Sequence, residues 1–390
     1  MQRRPTPQFS FCVFCAILAA LALVLAQLWP AASVEAAVRV RDDDKVWNEA
    51  VDKAISFLRQ AQAEDGSFSK DKSIGITGVI IAGVINTGRV ELNDPLVQKG
   101  LHYIASLANG KEGHIAGQNP RNQLKNYVTA VNVMALAAAN KQSGKYKDEV
   151  AMAAKFLREL QWDEVGQDTV QRDSPYYGGF GYDSKNRPDL SNTQFALEAL
   201  HAAGVPTTDD AMKKVTIFVS RCQNLKSEHQ DQPWAAKLND GSFIYNPTET
   251  KNDPANGAFP GYGSMTYAGI KSLIYAGVSK EDKRVQSALA WIRKNYSVEA
   301  NPGLPPARNQ QGLFYYFHTM AKCMDVLGID EFEDDKGVKH NWRRDITQAL
   351  AKRQQANGSW TNPNDRWMES DPNLVTGYAL LALSYTKPKK

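Results

Sequence analysis

Three groups of residues have types and spacings from which chemistry could be built. The first is Asp189-Leu190-Ser191-Asn192-Thr193, a carboxylate that opens an apolar helical segment. There it could serve as an acid or simply cap the helix N-terminus. The second is an aromatic series, Tyr127, Tyr262, Tyr267, Tyr315, Tyr316, Phe317, His318 and Tyr378, at or near the starts of such segments. Aromatic faces around a hollow would stabilise a cation or hold an apolar ligand, and packed together they would be ordinary core. His318 is a candidate base in the same place, and Asp371 and Asn192 are polar candidates for the cavity wall. The third group is the loop carboxylates Asp173, Asp183, Asp240 and Asp253, in two long insertions, 163–189 and 227–263, rich in Gly and aromatics. A glycosidase would need two of these to face each other. The chain carries no P-loop, no nucleophile elbow and no dinucleotide fingerprint.

A repeat places these residues. Phe57-Leu58, Gln62, Gly66 and Phe68 are spaced as Ala349-Leu350, Gln354, Gly358 and Trp360 are. Each set reads as a helix ending on Gln, then a turn glycine, then an aromatic that packs over the turn. The late Gln is placed to bond free end carbonyls or the next unit's first amides. Degenerate copies begin at Tyr103, Phe156, Phe218 and Trp291, with turn glycines expected at Gly113, Gly179, Gly241 and Gly312. After each turn a second helix follows, with a Thr in the same register: Thr77, Thr129, Thr193, Thr266, Thr319 and Thr376. In the first four, Gly88, Asn140, Gly204 and Gly277 are expected as C-caps.

These second helices are nearly free of charge and rich in small residues, so they lie inside; the first helices carry Lys53, Arg59, Lys155, Arg158, Arg293 and Lys294 on one face and lie outside. Two concentric rings follow, an all-α (α/α)6 toroid of six helical hairpins, with an open solenoid as the rival.

The spacing resembles the QW motif of squalene and oxidosqualene cyclases and the repeats of protein prenyltransferase β subunits, over about residues 45–385. The resemblance implies a central cavity for a hydrophobic, isoprenoid-like molecule and, if the chain is active, terpenoid-cyclase-like chemistry. The cyclases' acid lies in an Asp-x-Asp-Asp-Thr sequence opening an inner helix. Only Asp189 and Thr193 keep that pattern here, and Ser191 stands where the proton donor would be. The prenyltransferases' zinc ligands have no counterpart: Cys323 and His318 alone cannot hold zinc, so neither a metal nor another cofactor is expected. A noncatalytic toroid binding a ligand or protein, and a carbohydrate-active enzyme, are the alternatives.

Apolar residues make up 43% and charged residues 23% of the 390, with net charge +4 and basic and acidic residues interspersed, too weak an excess to argue for nucleic acid. Arg3 and Arg4 precede an apolar run, residues 9–29, and small residues lead to Ala36. This reads as a signal peptide, 1–36, followed by a polar linker, 37–44, the toroid, 45–385, and a basic tail, 386–390. Export to a periplasm or the exterior is expected. The run is also long enough, at roughly 20 residues, to anchor the chain in a membrane uncleaved. Beyond it only Cys222 and Cys323 remain, leaving at most one disulfide open. The cleavage reading predicts that the exported protein begins at Ala37, which intact-mass spectrometry checks; a full-length chain in the membrane fraction would establish the anchor instead.

Overall fold

The structure, a computed structural model, describes residues 43–119, 124–165, 169–254 and 256–387; the proposed signal peptide and most of the linker lie outside them. Helix α1 spans residues 43–61, so it begins inside the stretch read as linker. There follow α2 (Ile76–Thr87), α3 (Pro95–Ser106), α4 (Lys125–Ser143), α5 (Lys147–Glu159), α6 (Leu190–Ala202), α7 (Asp210–Arg221) and the single turn α8 (Ala235–Leu238). Then come α9 (Gly263–Tyr275), α10 (Lys283–Asn295), α11 (Leu313–Leu327), α12 (Trp342–Arg353) and α13 (Pro372–Thr386). Two antiparallel two-stranded ribbons, β1 (Ala108–Asn109) with β2 (His114–Ile115) and β3 (Phe332–Glu333) with β4 (Lys339–His340), decorate the turns.

The inner ring is α2, α4, α6, α9, α11 and α13, each packed on the next, and α13 packs back on α2. Closure is therefore complete and the open arc is excluded. The last contact is close because both helices are small there: a Cβ on Gly377 would meet Ile80 Cγ1 at 3.0 Å, and one on Gly83 would meet the Gly377 carbonyl at 3.2 Å. The outer helices α1, α3, α5, α7, α10 and α12 lay one apolar face on this ring. Trp47 Nε1 of α1 donates to Leu383 O of α13 at 2.9 Å, a second seam between the ends.

The repeated Gln explains the periodicity. Gln62, Gln161, Gln223 and Gln354 each donate Nε2 twice, once to the turn glycine's carbonyl (Gly66, Gly178, Gly241, Gly358) and once to a carbonyl of the next outer helix (Leu96, Ala211, Arg284, Ala50), at 2.8–3.1 Å. Both partners are carbonyls; none is an amide of the next unit. The glycine is required twice over. Gly66 and Gly358 have φ of +86° and +90°, and a Cβ there would sit 2.2 and 2.3 Å from the carbonyl oxygens of Lys99 and Lys53 on the neighbouring outer helix. In the third unit this residue is Gly178, φ +85°, not Gly179, which packs its bare face against Phe218. Gly312 is the left-handed N-cap of α11 rather than a turn of this type. In the fifth unit Tyr296 replaces Gln and its hydroxyl reaches Asp345 of α12 at 3.0 Å.

The recurring Thr has a matching task. Thr77, Thr129, Thr193, Thr266 and Thr376 Oγ1 accept the backbone N–H of Phe68, Ile115, Phe180, Phe243 and Trp360, tying the end of each turn to its inner helix. Thr319 breaks the series and donates to Tyr315 O instead. Of the expected C-caps, Gly88 holds with φ +66°, while α4 runs past Asn140 to its left-handed cap at Gly144. Gly204 and Gly277 are left-handed one residue beyond the C-caps Ala203 and Ala276.

Gln354→Ala is expected to remove two hydrogen bonds, to the Gly358 and Ala50 carbonyls, at the seam between last and first units and to lower unfolding free energy by about 2 kcal/mol. The same change at exposed Gln98 should cost under about 0.5 kcal/mol. Urea denaturation of both variants is the measurement; equal midpoints would show that the seam does not depend on this amide.

Candidate functional site

The N-terminal ends of the inner helices and the two insertions line a cavity of about 230 Å³. Its floor is a ring of four aromatics. Tyr127 of α4 meets Phe195 of α6 edge-on with centroids 5.2 Å apart, Phe195 meets Tyr315 of α11 at 6.0 Å, and Tyr315 meets Tyr378 of α13 at 6.1 Å. A Tyr127–Tyr378 hydroxyl contact of 2.8 Å closes the ring. Tyr182, Tyr245, Tyr262, Met265, Trp367 and Met368 rise around it. The insertions thus contribute to the wall; Tyr176 OH on Thr248 Oγ1 (2.6 Å) joins one to the other, and Trp234 Nε1 donating to Pro247 O (2.8 Å) braces the second within itself.

Of the residues singled out from sequence, Tyr127, Asn192, Tyr262, Tyr315 and Tyr378 line this cavity. The others do not. Tyr267 and Tyr316 are buried against each other, and the Tyr316 hydroxyl donates to Ser297 O, away from the hollow. Asp371 caps α13 by accepting Leu374 N, and its other oxygen takes Ser69 Oγ at 2.9 Å and Lys72 Nζ at 3.0 Å from the first unit, so it is another ring-closing contact. His318 lies beneath the floor, stacked between Phe195 and Tyr378. Burial pushes its pKa down to about 3, and both ring nitrogens lack hydrogen-bond partners. A neutral imidazole shielded from the cavity is not placed to act as a base.

Asp189 also sits just below the surface of the wall. It caps α6, accepting Asn192 N at 2.8 Å and Asn192 Nδ2 at 2.7 Å, and it is 3% exposed. Burial pushes its carboxyl up to about 6 against those bonds and one from Tyr245. Ser191 fills the neighbouring wall position, its Oγ 3.0 Å from the Tyr315 hydroxyl. The loop carboxylates are occupied elsewhere: Asp240 accepts Ser242 N and Oγ, Asp183 holds its own turn, and Asp253 pairs with Arg308. None of the four lines the cavity.

Two features escaped the sequence reading. Glu369 lies in the cavity wall, 1% exposed, accepting Tyr315 N at 2.9 Å and Asn362 Nδ2 at 2.7 Å, so it caps α11 from a distant loop. Burial pushes it up to about 7 in spite of those donors. No local pattern marks a Glu in an irregular segment as buried. Deeper in the ring, Glu198 of α6 takes Lys271 Nζ of α9 at 2.6 Å and Lys322 Nζ of α11 at 3.5 Å, and Lys322 also reaches the Tyr385 hydroxyl of α13. Burial would raise the Glu198 pKa, but the two ammonium groups prevail and hold it below the usual carboxylate range. Cys222 and Cys323 are both free and buried, so the single disulfide does not form. Among the described residues no cluster of three or more His, Cys, Asp or Glu could hold a metal, and no helix is long and apolar enough to cross a membrane.

No protein-family model and no curated protein sequence matches the chain. Solved structures do. An apo variant of the type II terpene cyclase MstE from Scytonema superposes with TM-score 0.52 at 12% identity, covering 89% of this chain and 98% of that one. The fold is terpene-cyclase-like. A variant of MstE bound to its product, merosterolic acid A, gives 0.51 at 11% identity, and one bound to its substrate, geranylgeranyl dihydroxybenzoate, gives 0.51 at 12%, each covering 89% of this chain and 99% of that.

The raised pKa of Glu369 has a definite sign. The folded protein holds that proton more tightly than the unfolded chain does, so its stabilising contribution is complete below about pH 4.5 and is lost as pH rises through about 7. Glu369→Gln is therefore expected to be more stable than the parent above pH 7, by up to about 3 kcal/mol, with little difference at pH 4.5. Urea midpoints across pH 4.5–8 check this; parallel profiles would mean that the carboxyl is not held neutral.

Proposed function

We propose that the chain is an exported member of the squalene cyclase and prenyltransferase repeat group and that its central cavity binds a hydrophobic, isoprenoid-like molecule. The observation that carries this reading is the cavity itself: a four-ring aromatic floor with an apolar wall, opening where the inner helices begin. The terpene-cyclase-like fold supports it, since MstE in the same architecture binds geranylgeranyl dihydroxybenzoate. Ser191 and Asn192 stand where the resembled cyclases carry their acid, and neither delivers a proton to an alkene, which favours binding without cyclisation. Asp189, below the wall and committed to capping α6, favours the same view.

Protein taken from its native envelope and extracted for lipid mass spectrometry is expected to release a polyprenoid-class molecule in near-stoichiometric amount. Asp189→Asn should retain that molecule. Absence of any retained lipid, together with no uptake of added geranylgeraniol, would defeat the binding reading; product formation abolished by Asp189→Asn would replace it with catalysis.

A further inference from the structure

The cavity's electrostatics narrow its guest. No Lys, Arg or His lines it, whereas Glu369 lies in its wall and Asp189 directly behind Ser191 and Asn192. The groups facing Glu369 are the amides of Leu313, Phe314 and Tyr315, the Asn362 amide and the Tyr378 phenol; those facing Asp189 are Asn192, the Ser191 amide, the Tyr182, Tyr245, Tyr262 and Tyr315 phenols and the Cys222 thiol. None is cationic. Cations next to lining residues are already engaged: Lys251 pairs with Glu249 and stacks on Tyr245, Arg366 stacks on Trp367, and Lys72 pairs with Asp371. The floor brings four rings from four different helices to one hollow, and aromatic rings attract a cation more than a neutral polar group.

We propose that this cavity selects a guest with a positively charged head, a lipophilic amine or quaternary ammonium, over the neutral alcohol of the same chain length. Burying such a head in an apolar pocket is costly unless a counter-charge meets it, and Glu369 is the wall group able to supply one. The inference rests on the reading of the cavity as a ligand site and adds the chemistry of the ligand's head. It also sets a pH dependence. Burial keeps Glu369 largely neutral below about pH 7, so a bound cation must drive off its proton; affinity for the cation rises as pH rises through that range, while affinity for an alcohol does not.

The test titrates the full chain with dodecyltrimethylammonium and, in parallel, dodecanol, both below aggregation, by calorimetry at pH 5 and pH 8. The expected result is binding of both, with the cation preferred about tenfold at pH 8 and the preference shrinking at pH 5. Glu369→Gln should reduce the pH 8 preference to the parent's pH 5 level, abolish its pH dependence and leave dodecanol affinity within about twofold. If that variant fails to fold, the parent's pH comparison of the two ligands still decides. Equal affinities at both pH values, or a full pH 8 preference that survives Glu369→Gln, would overturn the inference while leaving the cavity a hydrophobic site. Binding of neither ligand would overturn the site reading as well.

Discussion

A ring of hairpins stands or falls on the match between its last unit and its first, and here one carboxamide repeated around the molecule sets that match. Gln354 bonds its own turn and the α1 carbonyl of Ala50 in the same way that Gln62 bonds its turn and the α3 carbonyl of Leu96. Because an amide reaches only to hydrogen-bond distance, each outer helix must arrive at a fixed offset from the turn before it. The glycine in that turn makes the approach possible, since any side chain there would collide with the neighbouring backbone. Four such offsets, with Tyr296 on Asp345 at another junction, help bring the chain back to its start, and Asp371 with Ser69 and Lys72 and Trp47 with Leu383 finish the join.

Ring geometry also decides how the interior is filled. The hollow lies near the inner-helix starts, where the insertions add Tyr182, Tyr245 and Tyr262 to its wall. Further along, Glu198, Lys271, Lys322 and Tyr385, from four inner helices, occupy the middle. Such an ionic cluster is weak evidence for stability, yet losing one partner would leave a buried charge uncompensated, so the four helices are held to one relative register.

The two buried carboxyls show how one residue can serve fold and site together. Asp189 and Glu369 each cap an inner helix, one from its own N-cap and the other from a loop more than fifty residues away. Helix amides favour the ionised form and burial favours the neutral one, and burial prevails at both. The result is an aromatic cavity with acidic groups at and behind its wall and no base to oppose them.

Much of the architecture was legible in the chain because repetition is a local signal. Gln, glycine and aromatic at constant spacing, and Thr in constant register, identified six hairpins and two rings, and Tyr127, Asn192, Tyr262, Tyr315 and Tyr378 were found by their position at inner-helix starts. The direction each aromatic points was not legible: Tyr315 and Tyr316 are adjacent in sequence, yet helical rotation sends one into the cavity and the other toward the outer ring. Glu369, and the pairing of Glu198 with Lys271 and Lys322, were likewise invisible, because burial and charge compensation come from contacts between helices far apart in the chain. What the sequence determined by itself was a repeated unit able to close; only the tertiary structure decided which side chains share the enclosed space, since that follows from the angle at which six separate helices meet.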